Sequence, residues 1–310
     1  MGKVLHITNG DSFTSRLNEL DIKGDIITWR EMLCEGRTIT DVGSENFWKV
    51  RFDFFNKVYK VTKRNFINQT LKEYRSLCNY KSHDEIVLWF EYDLFCQINM
   101  IAVISWLKKF KSQTPVSLVC SGKINNSKKL YGLNELSDKK ILEMYNKRAQ
   151  LTQDDIEFAD YTWHLYCEDN PVRMQSFNNF NSSQFEYLPD AINAHFKRFP
   201  SVANGLNELE NIVLGLAAQQ KPKTQEELVG LALKNQGIYG FGDLQFFQII
   251  KELKPLFSTL KSVKLKKVAH EVLDKTTNFY PFIKNNEIYL GGAAKYNYLY
   301  NEETNRLLKL

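Results

Sequence analysis

The residues that decide the fold are EIVLWFEYD at 85–93, which run directly into a long apolar segment at 94–110. The first six residues form a nearly unbroken apolar run of strand length, and a polar cluster ends it. The segment after them is predicted to be a helix that apolar residues almost encircle. A helix of that kind is buried, here against a sheet. The stretch therefore predicts a buried strand followed by a buried helix.

Similar units lie on both sides of this stretch. Predicted strands lie at 3–8, 25–28 and 115–120, and predicted helices lie at 12–20 and 44–78. Asp11 or Ser12 is expected to be the N-cap of the first helix, because both side chains accept hydrogen bonds from free backbone amides. Strands that alternate with helices are typical of parallel strands joined by right-handed crossovers. We therefore predict an α/β fold with a three-layer, Rossmann- or flavodoxin-like parallel-sheet domain that binds a ligand, over residues 1–125.

The second half of the chain is mainly helical. Helical periodicity is present at 137–149, 152–167, 188–199, 207–219, 224–234 and 242–253, and two strand-like runs follow at 287–290 and 296–300. Three helices followed by a β-hairpin is the order of elements in a winged helix. We predict a helical connecting region at 126–200 and a winged-helix-like domain at 201–310. The Asn/Ser-rich stretch 176–184 is the predicted linker or mobile loop.

The composition is that of an ordinary globular protein. The 310 residues are 43% hydrophobic and 25% charged, which argues against long disordered stretches. No apolar run approaches the ~20 residues of a membrane helix, and the chain enters a strand pattern where a signal peptide would need an apolar core. The five cysteines are scattered without a C-x-x-C pair, which indicates reduced thiols. The expectation is a cytoplasmic protein that does not associate with a membrane.

Polar clusters follow three of the predicted strands. They are NGDS at 9–12, WRE at 29–31 with CEG at 34–36, and WFEYD at 89–93 with CQ at 96–97. The carboxyl ends of parallel strands meet at one edge of a sheet, where ligands bind in open α/β folds. The sequence therefore predicts one polar site at that edge. The predicted ligand-binding residues are Asn9, Ser12, Trp29, Arg30, Glu31, Glu35, Trp89 and Gln97, and the predicted catalytic residues are Asp11, Glu91 and Asp93.

Each cluster has a chemical and a structural interpretation. The NGDS turn at 9–12 enters a helix N-terminus, so it either holds an anion through free backbone amides or is a plain helix cap. Glu91 and Asp93 lie two apart on an extended segment, so they bind an ion such as Mg²⁺ or carry out acid–base chemistry, whereas Asp93 alone can cap the next helix. Arg30 and Glu31 contact ligand charge or form a surface ion pair. The tryptophans wall a pocket or belong to the core.

Two further signals receive less weight. Cys34 lies among charged candidates, but no histidine follows in a recognisable partner spacing, so we do not favour a cysteine nucleophile. Residues 261–310 carry nine basic and five acidic side chains, which fits a polyanion-binding surface or, as we favour, a solvated face. The predicted helix at 242–253 has no basic residue over 244–250, so packing or dimerisation is favoured over DNA reading.

Several motifs occur in a fixed order over nearly the whole chain: HITNGDS at 6–12, WREMLCEG at 29–36 and LWFEYDLFCQ at 88–97, with shorter matches such as GL at 132–133 and GG at 291–292. They resemble an uncharacterised bacterial family, the domain of unknown function 1835 with its usual C-terminal companion domain. The chain departs from the family's pattern at Cys34, Arg37 and Cys96, which further disfavours an essential Cys34. The resemblance implies a fold and the positions of a site, and no established activity.

The leading hypothesis is a protein that binds a small polar ligand, phosphorylated or nucleotide-like, at the strand ends. The sequence leaves open whether it also catalyses hydrolysis or group transfer. The alternative is a transcriptional regulator that senses a ligand in its α/β domain and binds DNA through its C-terminal module. A purely structural interaction module, with or without oligomerisation, is the third.

Overall fold

The computed structural model describes residues 2–78, 83–109, 113–124, 127, 129–177 and 184–310. In chain order the first half comprises β1 (Val4–Asn9), α1 (Asp11–Glu19), β2 (Asp25–Trp29), β3 (Gly36–Arg37), α2 (Glu45–Tyr59), α3 (Lys63–Phe66), a π-helical stretch (Ile67–Leu71), α4 (Lys72–Leu77), β4 (Glu85–Glu91), α5 (Leu94–Lys109) and β5 (Val116–Ser121). The second half comprises a 3₁₀ turn (Leu133–Glu135), α6 (Asp138–Asn146), β6 (Ala149–Gln150), α7 (Gln153–Tyr166), α8 (Pro171–Phe177), α9 (Leu188–Phe196), α10 (Glu208–Gln220), α11 (Gln225–Asn235), α12 (Asp243–Glu252), a 3₁₀ turn (Lys254–Leu256), β7 (Phe257–Thr259), β8 (Lys264–Leu265), α13 (Lys267–Leu273), α14 (Tyr280–Ile283), β9 (Tyr289–Gly291), β10 (Ala293–Ala294), a 3₁₀ turn (Lys295–Asn297), β11 (Tyr298–Asn301) and β12 (Arg306–Lys309).

A five-stranded sheet in the order β2-β1-β4-β5-β6 forms the centre of the first half. The first four strands are parallel, and the two-residue β6 is an antiparallel edge strand. The predicted α/β fold with a largely parallel sheet is confirmed. Because β2 and β4 flank β1 on opposite sides, the connections diverge between β1 and β4. This is the topological switch point at which doubly wound sheets bind ligands.

The alternation of side chains along β4 divides the sheet into two faces. Leu88 and Phe90 belong to a large apolar cluster that includes α5, which is buried on nearly all sides as its sequence predicts. Val87 and Trp89 belong to a second cluster with Phe13 of α1. The sheet is therefore covered on both faces, and its polar carboxyl edge is left between them.

The C-terminal part holds the three predicted helices as α10, α11 and α12, and a short hairpin of β7 and β8 follows them. The strand-like runs at 287–290 and 296–300 do not pair with each other. Instead β9 pairs with β10 and with β3, while β11 pairs with β12. The β3–β9 pairing joins the segment after β2 to residues 289–291, far along the chain. Most of the predicted linker at 176–184 lies outside the described residues.

Within the described ranges, none of the helices combines the length and the apolar character that crossing a membrane requires.

Candidate functional site

The turn after β1 leads into an open helix N-terminus. The helix α1 begins at Asp11, and its N-cap is Gly10 at φ 93°, a backbone angle that favours glycine. The expectation that Asp11 or Ser12 caps the helix is therefore wrong, since both lie inside the first turn. Gly10 has no side chain with which to cap, and a Cβ at Gly10 would meet no atom within 4 Å. The first backbone N–H groups of α1 are thus available to an anion.

Arg30 closes one side of this turn. Its guanidinium contacts the Asp11 carboxylate at 2.7 Å and the Glu73 carboxylate at 3.0 Å. These hydrogen bonds, Asp11 foremost, raise the pKa of Arg30. Arg30 does not pair with Glu31, so the structural alternative of an ion pair between these neighbours does not hold. The Asp11 side chain remains 69% exposed, which leaves the turn accessible to solvent.

The turn after β4 brings two carboxyl groups and a thiol together. The nearest ligand atoms of Glu91, Asp93 and Cys96 all lie within 4.8 Å of one another. Asp93 accepts a hydrogen bond from the backbone N–H of Cys96 at 2.8 Å and so caps α5, as its structural interpretation predicts. Burial, with the charge of Asp93 second, raises the pKa of Glu91 to about 7, and burial raises that of Asp93 to about 6.

Amide side chains join the two turns. The Asn9 amide at the end of β1 donates to the sulfur of Cys96 at 3.0 Å, and Asn99 donates to the Asn9 oxygen at 2.8 Å. Gln97 donates to the backbone carbonyl of Glu91 at 2.7 Å. The carboxyl edge of the sheet between β1 and β4, which we call the crevice, therefore brings together Asn9, Glu91, Asp93, Cys96 and Gln97. The sequence predicts four of them as site residues.

The segment around the 3₁₀ turn at 133–135 covers one side of the crevice. The backbone N–H of Leu133 donates to Glu91 at 2.7 Å, and the Asn134 amide donates to the Ser12 hydroxyl at 2.9 Å. A Cβ at Gly132 would lie 2.9 Å from a Glu91 carboxylate oxygen, so a larger residue there would have to displace the Glu91 side chain. Consecutive residues of one segment thus contact the turns after β1 and β4.

The loop between α11 and α12 covers the other side. The backbone carbonyls of Ile238 and Tyr239 accept hydrogen bonds from Leu94 and Phe95, the first residues of α5. Gly240, at φ 68°, lies so close to Asp93 that a Cβ would come within 2.2 Å of the carboxyl group. A part of the chain far from β4 in sequence therefore completes the surroundings of Asp93.

Two polar atoms near the cluster lack a hydrogen bond from any described residue. They are Oε1 of Gln97, a residue 1% exposed, and Oγ of Ser121, which is fully buried. Ser121 lies beside Glu91 in the register of β4 and β5. Because buried polar atoms are nearly always paired, these two indicate a missing partner.

Four predicted ligand-binding residues are buried or paired with other side chains. Trp89 is fully buried and donates to His6 at 3.1 Å, and Trp29 is buried against Trp48. Glu31 forms a buried ion pair with Arg51 at 2.9 Å. Glu35 accepts a hydrogen bond from Tyr59 at 2.6 Å.

Cys34 is fully buried, and its pKa is raised by that burial. A thiol with a raised pKa that solvent does not reach is a poor nucleophile. The structure therefore gives no support to Cys34 as a nucleophile, a role that the sequence also disfavours.

Sequence reasoning did not assign a role to Cys96, Ser121, Gly132, Leu133 and Gly240. Cys96 had a local signal, because it lies in the polar cluster beside Gln97. The others come from segments with no polar pattern of their own, and only the fold brings them to the crevice.

A scan of the chain against models of known protein families finds no match, and a search of curated proteins finds none either.

Proposed function

We propose that the protein binds a small polar ligand, phosphorylated or nucleotide-like, in the crevice between the carboxyl ends of β1 and β4. The observation that carries the proposal is that an uncapped helix N-terminus at Gly10 adjoins the buried polar cluster of Glu91 and Asp93 at a topological switch point. Free backbone amides bind phosphate groups, and doubly wound sheets place ligands at this position.

The two halves of the crevice suit different parts of such a ligand. The first turn of α1, with Ser12 and Arg30 beside it, suits an anionic group. Glu91 has its pKa raised to about 7 by burial, so it holds or releases a proton near neutral pH. This division supports hydrolysis or group transfer at a phosphorylated ligand, with Glu91 and Asp93 as the acid–base pair and Gln97 orienting them.

The test is a thermal-shift panel followed by calorimetry on each compound that stabilises the protein. The panel contains inorganic phosphate and nucleoside mono-, di- and triphosphates, each with and without Mg²⁺. We expect at least one phosphorylated compound to raise Tm in a concentration-dependent way, because binding to the native state alone stabilises it.

The matched variants are Asp11→Asn and Glu91→Gln in the crevice and Glu143→Gln on the exposed face of α6. We expect the crevice variants to change the affinity for the stabilising compound and Glu143→Gln to leave it unchanged. If no compound raises Tm, or if both crevice variants bind as the wild type does, the proposal is wrong.

The alternative function is that of a ligand-sensing regulator that binds DNA. It is favoured by the order α10, α11, α12 and then the β7–β8 hairpin, beside which lie Lys254, Lys261, Lys264 and Lys266. Against it, the Gln245 side chain of α12 is buried and caps its own helix at Gly242, so it is not free to read bases. A gel shift with random duplex DNA at low salt tests it, and absence of a complex there contradicts it.

Four finer points belong to the same proposal. They are that the chain is a member of the family of domain of unknown function 1835, that its domains divide at residues 125 and 200, that it is cytoplasmic and that it associates with itself.

A further inference from the structure

We infer that Glu91, Asp93 and Cys96 form a binding site for a thiophilic divalent cation of the Zn²⁺ class. The inference rests on the proposed function in that the cation would lie in the same crevice and would be part of the ligand bound there. With the ion bound, Glu91 and Asp93 serve as its ligands and not as a free acid–base pair. Cation binding is tested separately from phosphate binding.

The three ligand atoms are close enough for one ion. They lie within 4.8 Å of one another, whereas ligands on one tetrahedral Zn²⁺, at bond lengths of about 2.0–2.3 Å, are roughly 3.5 Å apart. Closing the site therefore needs side-chain movements of about 1 Å. The backbone already supports this geometry, because Asp93 caps α5 through the N–H of Cys96 and fixes the two residues relative to each other.

The sulfur determines the class of ion. Carboxylates alone would suit Mg²⁺, but thiolate ligands select Zn²⁺ and its neighbours over Mg²⁺. The Asn9 amide donates to Cys96 at 3.0 Å, and a hydrogen bond of this kind to a ligand orients it. When the ion binds, the Cys96 thiol gives its proton to solvent and binds as a thiolate, while both acids bind as carboxylates.

The unpaired polar atoms are an independent observation that points to a missing ligand. Gln97, 1% exposed, donates its amide N–H to the carbonyl of Glu91, and its oxygen has no partner among the described residues. The hydroxyl of Ser121, also unpaired there, lies beside Glu91 in the sheet register. Both residues flank Glu91, and a cation with one or two waters would supply the partners that these oxygens lack.

The cluster also lacks a protein counter-charge. Within the described ranges, Glu91 and Asp93 form no ion pair with a lysine, arginine or histidine, and the negative charges of Asp93 and Glu135 act on Glu91 and help to raise its pKa. Two buried carboxyl groups without a counter-charge favour their protonated forms. A bound divalent ion would supply that counter-charge and favour the ionised forms that bind it.

The test uses the reduced, full-length chain in metal-free buffer. Titration with Co²⁺ should give a thiolate-to-cobalt charge-transfer band in the near ultraviolet that saturates at about one equivalent. Zn²⁺ should abolish the band, and millimolar Mg²⁺ should not. Cys96→Ser should remove the band, and Asp93→Asn should weaken Co²⁺ binding by about tenfold or more. Cys167→Ser, at a half-buried thiol outside the crevice, is the matched control and should keep the band.

A second measurement needs no variant, so a folding defect does not compromise it. Zn²⁺ should raise the Tm of the wild-type protein in a concentration-dependent way, relative to Mg²⁺ at the same concentration, because an ion that binds the native state alone stabilises it. Absence of a saturable band, a band that persists in Cys96→Ser, or equal Tm values with both ions overturns the inference. Phosphate binding measured on the metal-free chain reports on the proposed function alone, so either proposal can fail while the other stands.

Discussion

The Asn9 side chain donates to the sulfur of Cys96 at 3.0 Å, and this contact joins the end of β1 to the first turn of α5. Asn99, one helical turn beyond Cys96, donates in turn to Asn9 at 2.8 Å and to the carbonyl of Glu31 at 2.6 Å. The Asn9 side chain is thus held from two positions of a fully packed helix. Its orientation is set before any ligand arrives, which is the condition for a preorganised site.

Removing Arg51 should destabilise the protein strongly. Its guanidinium is fully buried and donates to Glu31 as well as to the carbonyls of Met32, Glu35 and Arg37. Arg51→Ala leaves Glu31 as an uncompensated buried charge and frees three carbonyls, so we expect a loss of about 3–5 kcal/mol in the free energy of unfolding. Urea denaturation measures it. Lys49→Ala, at an exposed position of the same helix, should change stability by less than about 0.5 kcal/mol.

The Glu85–Arg148 pair should make stability depend on pH. Arg148 contacts both carboxylate oxygens of Glu85 at 2.7 Å, and this hydrogen bonding lowers the pKa of Glu85 below its ordinary 4.5. The ionised pair therefore stabilises the fold above about pH 4.5, and that stabilisation is lost as the pH falls through the lower folded pKa. Glu85→Gln should cost about 1.5 kcal/mol at pH 7 and progressively less in acid. A constant difference between wild type and variant from pH 7 to pH 3 would contradict this.

Two glycines of the α11–α12 loop should respond differently to alanine. Gly237 and Gly240 both have positive φ, at 65° and 68°, so alanine strains the backbone at either by about 1 kcal/mol. A Cβ at Gly237 meets nothing within 4 Å, whereas one at Gly240 overlaps the Asp93 carboxyl group. Gly240→Ala should therefore lose more stability and also weaken Co²⁺ binding. Equal effects of the two substitutions would show that the loop does not press on Asp93.

Trp89 should matter for stability and not for ligand binding. It is fully buried, contacts Phe13 and Tyr145, and donates to His6. Trp89→Phe removes part of the ring and this hydrogen bond, so we expect a loss of about 2 kcal/mol. The Co²⁺ affinity of the folded variant should be unchanged. A large change in Co²⁺ affinity would contradict this prediction and would indicate that Trp89 contributes to the binding site.

Cys34 should resist alkylation in the native protein. It is fully buried, and burial raises its pKa, whereas Cys78 is exposed. Iodoacetamide at neutral pH should label Cys78 rapidly and Cys34 only after denaturation, as peptide mass spectrometry would show. Rapid labelling of Cys34 without unfolding would reopen the case for a reactive thiol there.

The parallel sheet could be predicted because its strands are apolar runs and the helix α5 is apolar on all sides. The convergence of Asn9, Ser12 and Glu91 followed from the geometry of parallel strands. Glu31 pairs with Arg51, and Glu35 accepts a hydrogen bond from Tyr59. These partners could not be predicted, because both lie on α2 and the packing of α2 depends on the whole fold.

The role of Trp89 was ambiguous for a related reason. Alternation along β4 puts Trp89 and Glu91 on the same face of the sheet. Only the position of α1, which supplies Phe13, decides that the tryptophan is covered while Glu91 lies at the edge. The GL motif at 132–133 belongs to the family resemblance but gave no role, and the loop at 238–240 was not assigned to the site. A glycine that lies against a carboxylate looks in sequence like any other loop glycine.

The loop at 238–240 has a consequence for biosynthesis. Its carbonyls satisfy the first amides of α5, and Gly240 lies against Asp93. A nascent chain that has been translated only as far as β5 already contains Glu91, Asp93 and Cys96, but it exposes them to water without these neighbours. The crevice thus acquires its final environment late in translation, when the ribosome has released α11 and the loop that follows it.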